Sequence, residues 1–195
     1  MNFLQFQESA KQGLESARAT LSVFTGKELR LDAVTTDYVE LSKVPLLSGS
    51  PEDVVLSSYV TFSGDAEGQL MILFRPDSAQ KLADYLVPEL FRSLSPDEIP
   101  SLLDSLMVEV ANIVGSSVLN KVADCGGMRL VPTPPVMVRD MSGAILGSAM
   151  SYSGTVGNQV YVAYIKFSLG DGKASFEVVF LPKPSARKNG LWVTK

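Results

Sequence analysis

SLLDSLMVEVANIVGSSVLNKVADCGG, residues 101–127, has the period of a long amphipathic helix that ends on two glycines. At about 100° per residue, Leu103, Leu106, Met107, Val110 and Val114 gather on one face, the predicted core side. Ser105, Glu109, Asn112 and Ser116 fall within a sector of about 60° on the opposite side, and the apolar Val108 and Leu119 flank it. Ser95-Pro96-Asp97-Glu98 offers an N-cap, a proline at the first helical position and a glutamate at the third. Pro100 moves the expected start towards Ser101, and the helix should run to about Ala123 and stop at Gly126-Gly127.

Upstream, Phe6, Ala10, Leu14, Ala17, Leu21 and Phe24 recur at three- and four-residue steps, which predicts a first helix from Phe3 to Phe24 closed by Gly26. Between the two helices, Glu28–Val34, Asp37–Val44, Val54–Phe62 and Gln69–Phe74 are rich in β-branched and aromatic residues and read as antiparallel strands. A short helix capped by Asp77 or Ser78 follows them. Downstream, Met128–Val131 and Val136–Val138 are short extended pieces around a proline turn. Gln159–Phe167 and Ala174–Leu181 alternate as strands joined by a hairpin loop at Leu169–Lys173. The pattern is an α+β domain over residues 1–182, followed by a basic tail, 183–195, with Lys183, Arg187, Lys188 and Lys195 and no acid. Leu191, Trp192 and Val193 in that tail could dock on the body or on a second subunit, and Asp140–Ser153 is left unassigned.

Composition removes several classes of function. The net charge of −4 speaks against a protein that works by neutralising nucleic-acid phosphates. Residues 31–109 carry 14 acidic against 4 basic side chains and residues 110–195 carry 4 against 9, an asymmetry that can orient a charged partner. The chain has no histidine, which excludes a Ser-His-Asp triad, the usual zinc ligand sets and histidine phosphotransfer. Cys125 is the only cysteine, so no internal disulfide forms, and without a histidine base it is a poor nucleophile. No leader pattern or bilayer-length apolar run stands out, so a cytoplasmic protein is expected, with no membrane and no nucleic acid among its partners.

Polar residues at i, i+4 and i+7 are common on surface helices, so the spacing alone assigns no role. Two further features weigh against an ordinary solvated face. Asparagine competes for backbone hydrogen bonds, and helix stability asks for nothing at Asn112. Pro134 stands 22 residues beyond it, just after the turn into the next extended piece.

Ser105-Leu-Met-Val-Glu109-Val-Ala-Asn112 followed by Pro134 resembles the signature of the CheC/CheX/FliY family of chemotaxis response-regulator phosphatases: Asp or Ser, three residues, Glu, two residues, Asn, 21 residues and Pro. The resemblance implies a CheC-like domain, two long helices packed on an antiparallel sheet, with halves related by a pseudo-two-fold. It implies hydrolysis of the phospho-aspartate of a CheY-like response regulator. Asn112 would hold the attacking water, Glu109 would pair with the lysine beside the aspartate, and Ser105 and Pro134 would support them. Val108, Ser116 and Leu119 would dock the partner. The domain needs no cofactor or metal of its own, since Mg²⁺ is expected in the response regulator; a homodimer and a CheD-like partner are further possibilities within the family. The alternative is a non-catalytic scaffold of the same fold that binds response regulators or motor components.

Members of that family with two centres carry the Glu/Asn pair in both halves. Sliding the first half onto the second by 99 to 101 residues places Ala10 and Gly13, Ser9 and Gln12, or Glu8 and Lys11 opposite Glu109 and Asn112. None offers Glu with Asn, so one centre is expected, the layout of CheX.

Overall fold

The structure, a computed structural model, describes residues 3–26, 28–153, 158–169 and 174–183 of the 195-residue chain. Helix α1 spans Phe3–Thr25 and ends at Gly26, whose φ of 65° is the left-handed conformation that glycine adopts freely. The two strands expected next are one, β1, Leu29–Glu40, because β-branched Val34, Thr35 and Thr36 carry the extended chain across the supposed gap. What was expected to continue as strand to Val44 is instead a 3-10 helix, Leu41–Leu46, containing Pro45. Strands β2, Val54–Gly64, and β3, Gly68–Phe74, form a hairpin.

Helix α2, Pro76–Leu86, starts with proline in its first turn, so Arg75 rather than Asp77 or Ser78 holds the cap position. A short α3, Pro88–Ser93, was not foreseen. The long helix α4 is Ile99–Gly126, beginning two residues ahead of Ser101 because a first-turn proline needs no N–H partner. Strands β4, Leu130–Pro132, and β5, Val136–Met141, follow it. The unassigned segment holds α5, Ser142–Ser153. Strands β6, Gln159–Leu169, and β7, Ser175–Pro182, complete the domain. The predicted hairpin loop (170–173) and nearly all of the basic tail (184–195) lie outside the described residues.

The sheet is antiparallel throughout, in the order β1-β6-β7-β3-β2, with β4 and β5 both paired to the outer side of β2. Alternate residues feed two cores. Leu70, Ile72, Phe74, Ile165, Phe167, Phe176, Val178 and Phe180 meet α1, α2 and α4 on one face. Met71, Leu73, Val160, Val162, Val179 and Leu181 meet Val44 of the 3-10 helix and Ile145, Leu146 and Ala149 of α5 on the other. Helix α4 is long and apolar enough to cross a membrane, but its Met107, Val110, Ala111, Val114 and Val118 are spent on this interior.

The two halves are related by a two-fold axis normal to the sheet, between β3 and β7. Read from either edge, the strand order is the same, with α1-β1-3-10-β2-β3 answered by α4-β4/β5-α5-β6-β7. The helix ends and the first-strand starts correspond at a displacement of 101 residues: Gly26 and Gly127 are both left-handed caps, and β1 opens at Leu29 as β4 opens at Leu130. The buried α1 positions Ser9, Ala10, Gly13, Leu14, Ala17 and Leu21 correspond to the buried Val110, Ala111, Val114, Gly115, Val118 and Val122 of α4. Even the irregularities agree, since β1 slips register between Leu31 and Ala33, and β4/β5 slips at 133–135.

Candidate functional site

Helix α4 presents the polar ridge. Its start is held by Ser95, whose backbone N–H and hydroxyl both donate to Glu98 Oε2, at 3.0 and 2.7 Å; these bonds lower the Glu98 pKa from its ordinary value. Arg139 on β5 lies 3.6 Å from Asp104 and ties the first turns to the sheet edge. At the far end, Met128 N–H donates to Ala123 O at 2.9 Å and Gly127 N–H to Asp124 O at 3.3 Å, a glycine cap that satisfies the last carbonyls. Arg129 N–H then donates to Asp65 Oδ2 at 2.8 Å, pinning the exit to the β2–β3 turn.

Along this fixed rod Ser105, Glu109 and Asn112 are exposed, and Ser116 is half-buried. Among the described residues, the side chains of Ser105, Glu109 and Asn112 engage no other side chain or backbone group by hydrogen bond or ion pair. A carboxylate and an amide one turn apart therefore face outward together, one an acceptor and the other both donor and acceptor. Val108 is half-buried beside them.

Leu119 corrects the sequence reading, because it is only 1% exposed and belongs to the core rather than to a docking rim. In its second half α4 packs closely on α1, where a Cβ on Gly13 would lie 2.7 Å from Val118 Cα, and the buried sector there widens to Val118, Leu119 and Val122.

Pro134 is exposed and sits in the break between β4 and β5. Thr133 spans the break, its N–H donating to Thr61 O at 2.8 Å while Thr61 N–H donates to Thr133 Oγ1 at 3.1 Å. Opposite Val60 and Thr61 the chain places three residues, a bulge in which Pro134 and Pro135 need no ladder partner. The break lies in the segment that follows α4, 22 residues beyond Asn112, so Pro134 shapes the sheet edge rather than the ridge.

Helix α1 supplies what the sequence alone could not place. At the displacement of 101 residues that the two caps and two first strands select, Glu109 and Asn112 correspond to Glu8 and Lys11, both exposed. Glu8 Oε1 accepts from Gln12 Nε2 at 2.9 Å. The signal that finds this pair is the glycine-to-glycine spacing of the helix ends.

No protein-family model matches the sequence. Solved structures do resemble this one. Thermotoga maritima FliY superposes with a TM-score of 0.63 at 16% identity, covering 92% of this chain and 90% of that one. The CheX of the Borrelia burgdorferi CheX–CheY–BeF₃–Mg²⁺ complex gives 0.60 at 19% identity, covering 89% and 97%. CheX from Desulfovibrio desulfuricans gives 0.58 at 17%, covering 89% and 99%. The fold is that of the CheX, FliY and CheC-like chemotaxis proteins.

Proposed function

We propose, from the fold shared with CheX and FliY and from the ridge on α4, that the chain acts in chemotaxis-type signalling and removes the phosphoryl group from the aspartate of a CheY-like response regulator. The observation that carries this reading is the pair Glu109 and Asn112, outward on one rigid helix and engaged by no other described residue. The BeF₃- and Mg²⁺-containing CheX–CheY complex among the similar structures supports the choice of partner.

An acyl phosphate is already reactive, so a catalyst chiefly has to place water in line and settle the developing charge. Asn112 is suited to this, since its amide accepts from and donates to a water without changing protonation. The water oxygen bonds to phosphorus, the bond from phosphorus to the aspartyl oxygen breaks, the aspartate regains its carboxylate, and inorganic phosphate leaves with the water's protons shared between it and solvent. Glu109 pairs with a lysine beside the aspartate and fixes the docking register. Ser105 extends the polar surface by one turn and Val108 gives it an apolar shoulder. The Mg²⁺ that neutralises phosphoryl oxygens belongs to the partner. The exposed β5 edge, with Val136, Val138 and Met141 beside it, suits pairing of two copies.

The test is the decay of a phosphorylated CheY-like regulator with and without the chain. Asn112→Ala should lower turnover about 100-fold, the scale of losing one positioned polar group, at unchanged binding. Glu109→Ala should raise the concentration of regulator needed for half-maximal rate. Binding without any acceleration by the wild-type chain would instead favour the scaffold alternative.

A further inference from the structure

We infer that α1 carries a second docking centre for the same class of partner, one that holds the phosphorylated regulator without hydrolysing it; this rests on the function proposed above. The two-fold axis is the starting point. The operation that relates α4 to α1 places Glu8 and Lys11 at the positions of Glu109 and Asn112, and six buried positions beneath the two helices, from Ser9/Val110 to Leu21/Val122, correspond. A partner surface complementary to one helix therefore meets the same backbone shape at the other, with different side chains.

Those side chains differ in a way that separates binding from chemistry. Glu8 repeats the carboxylate of Glu109, so the contact with a partner's lysine is preserved. Lys11 replaces the amide of Asn112 by an ammonium, which has three donors and no acceptor. Such a group cannot accept from a water and point its lone pair at phosphorus. It can donate to phosphoryl oxygens, and its positive charge favours the phosphorylated over the unphosphorylated partner. Among the described residues, the Lys11 side chain has no hydrogen-bond or ion-pair partner of its own. Beyond it, Glu15 and Arg18, joined at 2.7 Å, stand where α4 has half-buried Ser116 and the core residue Leu119, so this end of α1 presents charge where α4 is closed over.

The arrangement predicts a chain that both hydrolyses and retains its partner, the retained fraction rising with phosphorylation. The experiment begins with a CheY-like regulator that the wild-type chain dephosphorylates. That regulator, loaded with beryllofluoride and Mg²⁺, is titrated calorimetrically onto the Glu109→Ala, Asn112→Ala double variant, which leaves only α1. Residual binding is expected. Adding Lys11→Ala should weaken it about two- to fivefold, the scale of one exposed charge contact, while Lys11→Ala alone leaves turnover at α4 unchanged. Lys11→Asn in the double variant should restore measurable phosphate release.

No binding by the double variant, or binding indifferent to Lys11→Ala, overturns the second centre and leaves the α4 site standing. A wild-type chain that neither binds nor dephosphorylates any such regulator overturns both.

Discussion

At the scale of the residue, Leu119 and Asn112 show why neighbours on a helical wheel need not share a fate. They lie about 20° apart around α4 by the regular advance of the helix, yet one is in the core and the other in solvent. The sequence legibly placed Glu109 and Asn112 on the outside, because the opposite face was apolar from Leu103 to Val114. It misplaced Leu119, because how far the buried sector reaches around α4 depends on α1 and the sheet packed against it, segments distant in the chain. Leu119→Ala should therefore cost about 2–5 kcal/mol of folding stability, as loss of a buried leucine does. Chemical denaturation reads this directly; a variant of wild-type stability with weakened partner binding would return Leu119 to the docking surface.

At the scale of the element, α1 and α4 touch through Gly13. A Cβ there would lie 2.7 Å from Val118 Cα and 3.1 Å from Ser117 O, closer than two backbones tolerate. Gly13→Val forces the helices apart and should cost about 1–3 kcal/mol or more. Gly13→Ala should destabilise less, because alanine recovers about 1 kcal/mol of helix propensity. Urea titrations of both variants check the order, and equal stability of the valine variant and the wild type would mean that the helices do not pack this closely. Glycine in a helix is easily read from sequence as tolerated; that it marks a crossing point required knowing what faces it. The same holds for β1, where sequence offered two strands and pairing with β6 over eleven positions made one.

At the scale of the molecule, Glu177 is a carboxylate set into the sheet on the α5 side, 8% exposed, and burial chiefly raises its pKa. A hydrogen bond donated by Tyr164 and the charges of Arg75 and Lys166 pull the other way. Burial and the Glu177 charge in turn push the Tyr164 hydroxyl upward. A carboxyl whose folded pKa lies above its unfolded value of 4.5 lends stability below that pH and loses it as pH rises through the folded value. Glu177→Gln removes this loss, so its Tm should exceed that of the wild type at pH 7, and the difference should shrink towards pH 4. Thermal melts across that range test it; a variant less stable at pH 7 would mean that the charge is held more favourably by Arg75 and Lys166 than by water. From sequence alone, the α+β class, both long helices with their glycine caps, most strands and the outward Glu109–Asn112 pair were determined, because periodicity, caps and turn residues act within a few residues of each other. Only the tertiary structure decided the displacement of 101 residues between the halves, the burial of Leu119, the bulge at Pro134 and the match of Glu8 and Lys11 to the ridge, because each depends on which segments, distant in the chain, pack against one another.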